Sequence, residues 1–286
     1  VVKFGWTFNP GPNLFLLQVI WMLGVSMIIV SALIFLPLKY LIGVSVMIII
    51  SHNLLDSITA ASSGLPAWVW MLIHQQGMVK PAVDSRVYII YPIVPWFAVM
   101  ALGYSMGTLY LKTSETRIRY FLIMGTIAII AFLVLRFFNL YGDPSPWGNQ
   151  DTFLANFLSF MDAEKYPPSL QFLLMTLGPA LLLLALFEQP HWQSKLLSTY
   201  GRVPLFFYVI HIPLIHLTAV IVTFATGNDI GWLFIDPIFN KPEGYGYDLF
   251  YSYLVCFVLM LVLYPLCERY ARFKHRHHDL RWLRYL

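Results

Sequence analysis

Hydrophobic positions fall in long, nearly unbroken runs, and these runs set the plan of the chain. Seven of them, at approximately 14–36, 38–56, 88–110, 120–141, 167–187, 203–226 and 249–267, approach or exceed the roughly 20 mostly apolar residues that a bilayer-crossing helix needs. An eighth run, 65–73, is too short to span. Its Trp68 and Trp70 fit a helix lying at the membrane interface or dipping partway in. Segments 142–166 and 227–248 are polar and carry Pro, Gly, Asn and Asp, as loops do. The pattern predicts an all-α polytopic transmembrane helix bundle of about seven spans plus a short interfacial or re-entrant helix. Residues 1–286 are expected to form a single membrane domain ending in a basic tail, 268–286.

Composition narrows the class. Hydrophobic residues make up 59% and charged residues 11%, and the mean hydropathy is +0.69. A soluble surface draws on about 25% charged residues, so a water-soluble globule is excluded. The aromatic content excludes a disordered chain. Cys256 and Cys267, both in or beside one apolar run, exclude a disulfide framework and a Cys-rich zinc site.

The net charge of +4 changes the picture only through its placement. Lys39, Lys112, Arg117, Arg119, Lys195, Arg202 and the tail residues Arg269, Arg272, Lys274, Arg276, Arg281 and Arg284 fall on one side of the seven-span plan. Lys3, Lys80, Arg86, Lys165 and Lys241 fall on the other, and Arg136 lies inside a span. Cytoplasmic loops carry the Lys/Arg excess, so the C-terminus is expected in the cytoplasm and residue 1 outside, with membrane lipid rather than nucleic acid as the partner. The first residues do not resemble a signal peptide. With residue 1 outside, the chain reads as the C-terminal part of a longer membrane protein whose upstream helices are odd in number.

Polar groups inside spans are costly, so each asks for a reason. His52, Asn53 and Asp56 end the second run. His52 and Asp56 are spaced i, i+4, one helix face apart, and a carboxylate that orients an imidazole suits general-base catalysis. A helix end meeting water would carry the same residues. Arg136 lies deep enough to need a partner or a snorkelling route to the headgroups; Asn139, Tyr141 and Asp143 follow it at the level of His52. Lys165-Tyr166-Pro167-Pro168-Ser169-Leu170-Gln171 opens the fifth span. Its prolines suit a first helical turn, whose free N–H groups favour an anion or only a cap. His211 and His216 lie about 12 and 20 Å into the sixth span at 1.5 Å per residue, on different faces, which argues against a shared metal. The tail Lys274-His275-Arg276-His277-His278 reads as anionic-lipid contact rather than a metal site. Gly103, Gly107 and Gly125 are expected to permit close helix packing.

Four stretches carry a family resemblance: Val2-Lys3-Phe4-Gly5-Trp6-Thr7-Phe8; His52-Asn53-Leu54-Leu55-Asp56; Asn139-Leu140-Tyr141-Gly142-Asp143-Pro144 with Lys165-Tyr166-Pro167-Pro168-Ser169-Leu170; and Gly201-Arg202-Val203-Pro204-Leu205-Phe206-Phe207-Tyr208 with His211. Together, across nearly the whole chain, they resemble bacterial relatives of the heparan-alpha-glucosaminide N-acetyltransferase catalytic-domain family. The resemblance implies a multi-pass protein of the bacterial inner membrane that transfers acetyl from acetyl-CoA to the amine of an amino sugar or glycan. It also implies further helices before Val1, with the histidine held to be catalytic among them. On these residues such chemistry is expected to use His52, Asp56 and His216 for catalysis. Asn53, Arg136, Asn139, Tyr141, Asp143, Tyr166, Ser169 and Gln171 are expected to bind the acceptor, and Arg202 and His211 the acetyl-CoA. No metal is expected, and a homo-oligomer is left open. A transporter or flippase for a saccharide or lipid-linked sugar would draw on the same mid-membrane polar residues.

Overall fold

The computed structural model describes residues 2–9, 13–82, 85–192, 194–235, 241–277, 279–280 and 283. In chain order its elements are α1 (Val2–Thr7), β1 (Asn13–Leu17), α2 (Val19–Leu33), α3 (Leu38–Ser51), α4 (Ala67–Ile73), β2 (Gly77–Ala82), β3 (Ser85–Ile89), α5 (Trp96–Met106), α6 (Ser114–Phe137), α7 (Phe153–Met161), α8 (Leu170–Phe187), α9 (Lys195–Arg202), α10 (Pro204–Ala225), α11 (Gly231–Ile235) and α12 (Leu249–Arg276). Two compact units result, one from 14–192 and one from 1–13 with 193–286.

Among the described residues, five helices are long and apolar enough to cross a membrane: α3 with the turn after it (Leu38–Leu55), α6, α8, α10 and α12. The other two predicted runs hold shorter apolar helices, Val19–Leu33 and Trp96–Leu111. Each is shortened for a local reason. Residues 13–17 are extended and belong to a three-stranded sheet, order β1-β3-β2, which the hydrophobic pattern did not predict. The Leu17 carbonyl accepts from the N–H groups of Ile90 and Tyr91, so α2 starts only at Val19. The run 88–110 loses its beginning to β3. Pro92 and Pro95 then hold the residues before them out of the helical region, and α5 starts at Trp96. The segment 65–73 forms only the short helix α4.

In the 14–192 unit, Val30, Leu41 and Ala101 form one core cluster, from α2, α3 and α5. Ile49, Ala98, Leu170 and Leu173 form another, from α3, α5 and α8. Helices α6 and α8 cross where both are glycine. A Cβ on Gly125 would lie 2.9 Å from the Gly178 carbonyl oxygen and 2.8 Å from the Leu182 side chain. Gly125 therefore permits close packing as expected, whereas a Cβ on Gly103 or Gly107 would meet nothing within 4 Å.

In the other unit, α1 packs on α10, with Gly5 against Ile212 and Pro213. The Phe206 and Tyr270 rings stack at 4.0 Å between α10 and α12, and the Tyr200 hydroxyl donates to the Met260 carbonyl. Only 6% of the apolar window of α12 is buried within the chain. An apolar surface of that extent is out of place in water and suits lipid.

Candidate functional site

The site grows from the end of α3. After Ser51 the backbone tightens into a 3-10 turn over His52–Leu55. In that geometry residues three apart eclipse one another, not residues four apart. Asp56 consequently aligns with Asn53, whose Nδ2 donates to its Oδ2 at 2.7 Å. The i, i+4 pairing of His52 with Asp56 does not form. Instead Asp56 Oδ1 lies 2.8 Å from Nε2 of His74, the buried residue that ends α4. His74 was not singled out from the sequence; its only signal there is a histidine closing a short apolar run.

His52 is buried and serves a different contact. Its Nδ1 lies 2.8 Å from the Ile49 carbonyl oxygen and its Nε2 lies 2.9 Å from that of Pro168. A neutral imidazole has one N–H and can donate to only one of these acceptors. The Ile49 contact stays within α3, and the Pro168 contact ties the end of α3 to the turn before α8. Asn53 strengthens that tie, since its Oδ1 accepts from the Leu170 N–H at 2.8 Å. This satisfies one of the free first-turn donors of α8.

The segment 139–143 docks on the same turn. The Tyr141 hydroxyl donates to the Ile50 carbonyl at 2.7 Å, while Gln171 donates from Nε2 to the Tyr141 carbonyl and from its backbone N–H to Gly142. Asn139, at φ 46°, and Gly142, at φ 87°, make the turn. A Cβ on Gly142 would come within 2.9 Å of the Leu170 Cβ. The Asp143 carboxylate is buried and accepts from the Ser145 and Glu164 N–H groups and from the Ser169 hydroxyl. Ser169 in turn caps α8 by accepting from the Phe172 N–H. Asn139 pairs twice with the backbone of Trp147. Tyr166 meets Tyr91, hydroxyl to hydroxyl, at 3.4 Å.

Arg136 did need a partner, and it has several. Its Nε donates to the Phe160 carbonyl at 2.9 Å, one terminal nitrogen to Ser145 at 2.8 Å, and the other to Ser159 and Asp162 at 2.8 and 2.6 Å. Gln171 Oε1 and Asp143 Oδ1 lie farther off, at 3.4 and 3.7 Å. Ser159, Phe160 and Asp162 sit at the C-terminus of α7, where carbonyls lack intrahelical partners and the helix end is negative. The guanidinium thus caps α7 from inside the fold.

The predicted residues of this unit therefore converge, but only some of them face open space. A cavity of about 200 Å³ is lined by Asn53, Asp56, Thr59, His74, Gln75 and Pro167, among others. Burial by itself would raise the Asp56 carboxyl; the hydrogen bonds from His74 and Asn53 outweigh it and hold the group below its ordinary value. Burial, with the negative Asp56 nearby, raises Tyr141. Nδ1 of His74 is buried without a hydrogen-bond partner. His52, Arg136, Ser169 and Gln171 are buried behind the cavity wall.

The remaining predicted residues belong to the other unit. His211 bonds to the Phe207 carbonyl in its own helix and stacks on the Phe207 ring. His216 is buried, packs edge-on against Phe8 with ring centres 4.6 Å apart, and leaves Nε2 unpartnered. Arg202 lines a separate groove with residues of α12.

Residues 1–140 match the family described as heparan-alpha-glucosaminide N-acetyltransferase, catalytic. The match holds His52, Asn53, Asp56, His74, Arg136 and Asn139 and stops before Tyr141. It is shorter than the near-whole-chain likeness expected from the sequence. No curated protein and no solved structure matches. The apolar helices and the match agree that this is a membrane protein. Through residues 1–140 the chain is related to the heparan-alpha-glucosaminide N-acetyltransferase catalytic family.

Proposed function

We propose that this chain is the membrane-embedded part of an acetyltransferase that moves acetyl from acetyl-CoA to the amine of an amino sugar or glycan in a bacterial inner membrane. The observation that carries this reading is the 2.8 Å contact between Asp56 and His74 in the wall of a cavity, inside the stretch that matches the family.

An amino sugar at neutral pH arrives largely as an ammonium ion. Asp56, held ionised by its two donors, supplies the matching charge and fixes His74 with its proton on Nε2. Nδ1 of His74 is then the lone pair free to take one proton from the ammonium, which leaves the neutral amine that attacks the thioester. Nitrogen bonds to the acyl carbon, the C–S bond breaks, and CoA leaves as a thiolate that takes up the second proton shed by the nitrogen. His52, with both ring nitrogens against backbone carbonyls, acts here as a positioning residue for the turn before α8.

The test incubates membranes holding the protein with radiolabelled acetyl-CoA and an acceptor ending in glucosamine. Label is expected on the sugar nitrogen. His74→Gln is expected to lower kcat at least about a hundredfold, the usual contribution of a positioned base, and Asp56→Asn to raise KM as well. Unchanged kcat in His74→Gln would remove that residue from the chemistry. Sugar uptake without CoA turnover would overturn the reading in favour of transport.

A further inference from the structure

We propose that the groove between α9 and the last turns of α12 binds the phosphate headgroup of an anionic phospholipid. The groove encloses about 400 Å³ and is lined by Lys195 and Arg202 from α9 and by Glu268, Arg272, His275 and Arg276 from α12. Its one carboxylate is already used, with Glu268 Oε1 3.3 Å from Lys195 Nζ. Among the described residues Arg202, Arg272 and Arg276 make no ion pair. Three guanidinium groups therefore face one groove with no protein anion to balance them. Arg272 and Arg276 also line a second hollow of about 210 Å³ with Arg269 and Phe273. A guanidinium fork matches phosphate oxygens in pairs.

The site is held open by its frame. The Tyr200 hydroxyl fixes α9 to the Met260 carbonyl, Phe206 stacks on Tyr270, and Lys274 reaches the Arg202 carbonyl. The cations are thus presented on a fixed surface rather than on a loose tail.

Two features select a lipid over the CoA phosphates expected for Arg202. First, the cations follow directly on the apolar length of a helix built to cross the membrane, at the level where headgroups lie. Second, Leu196, Leu197 and Phe273 are exposed beside them. A nucleotide phosphate would leave those side chains in water, whereas an acyl chain covers them. Apolar and basic groups side by side mark an interfacial surface.

The test uses the full chain, delipidated in a neutral detergent, with dioctanoyl phosphatidylglycerol, dioctanoyl phosphatidylcholine and CoA as separate probes. Phosphatidylglycerol is expected to bind more tightly than either of the others. Arg272→Gln with Arg276→Gln is expected to weaken it about thirtyfold, at roughly fivefold per cation near an anionic lipid. Lys80→Gln with Arg86→Gln, the same charge loss in β2 and β3, is expected to leave it unchanged. Should the double variant unfold, Arg202→Gln alone is expected to weaken binding about fivefold. Equal binding of the two lipids, an unchanged affinity in the groove variants, or the same loss in the β2–β3 control would overturn the proposal. So would CoA binding that depends on these arginines when phosphatidylglycerol does not bind. The readout involves no acetyl transfer, so this site and the proposed activity can fail independently.

Discussion

Replacing Arg136 with Met keeps most of the side-chain volume and removes the guanidinium. Four carbonyl oxygens, at Ser145, Ser159, Phe160 and Asp162, then lose a charged donor at 2.6–2.9 Å. The carboxylate of Asp143, 3.7 Å away and buried, loses its counter-charge. A hydrogen bond to a charged group contributes about 1.5–3 kcal/mol, but these share one group and do not add. Much of α7 is exposed, so water recovers part of the loss. Breaking a buried pair from one side costs about 3–5 kcal/mol, and that is the expected loss. For a chain of 286 residues it lowers the unfolding midpoint by roughly 5–8 °C. Thermal unfolding in detergent measures it, with exposed Arg119→Met as the control. Limited proteolysis is expected to cut first within 143–162, the segment that the guanidinium holds. Adding Asp143→Asn to Arg136→Met is expected to recover part of the loss. A drop no larger than that of the control would refute the internal cap and return Arg136 to a snorkelling cation.

Two other perturbations probe different parts of the 14–192 unit. Gly125→Leu drives a side chain into the Gly178 carbonyl, which cannot move aside; overpacking of this kind costs about 1–3 kcal/mol, against little change for Gly103→Ala, read by the same unfolding assay. Asp56 titrates lower in the folded chain than its ordinary 3.8, so its stabilisation is complete above that value and is lost as pH falls through the lower folded one. Asp56→Asn is therefore expected to be less stable than the parent at neutral pH, with the gap closing on acidification below about pH 4; a gap that widens would contradict the assigned hydrogen bonds.

The helices were legible because membrane-crossing elements are written as long apolar runs; Pro167 and Pro168, expected in the first turn of the fifth span, stand just before Ser169, the cap of α8, and the run at 88–110 gave no sign that its helix begins only at Trp96. The sheet was not legible. Its strands β1 and β3 are themselves apolar or border apolar runs, and periodicity alone does not separate a short buried strand from the start of a helix. The group around Arg136 was legible as an anomaly of burial. Its partners were not, because they are main-chain carbonyls of α7 and of the loop, and a carbonyl leaves no mark in the sequence.

The least legible feature is the one on which the proposed chemistry turns. Spacing four residues apart joins His52 to Asp56 only if α3 continues as an α-helix. The 3-10 turn over His52–Leu55 changes the repeat from 3.6 toward 3.0 residues, and that difference reassigns both histidines. Asn53 comes into line with Asp56, and the carboxylate becomes a junction between Asn53 and His74. His52 turns to the Pro168 carbonyl. One turn of tighter helix thus separates two tasks that the sequence merges, with His52 bracing the α8 turn and His74 facing the cavity with its carboxylate partner. The separation has a kinetic signature. His52→Gln keeps one hydrogen-bonding arm and is expected to cost stability first, while His74→Gln, in a cavity wall already held by Asn53 and Pro167, is expected to cost turnover first. Equal stability losses with equal activity losses would mean that the two histidines share one structural task and that the Asp56–His74 pair is not the reacting group.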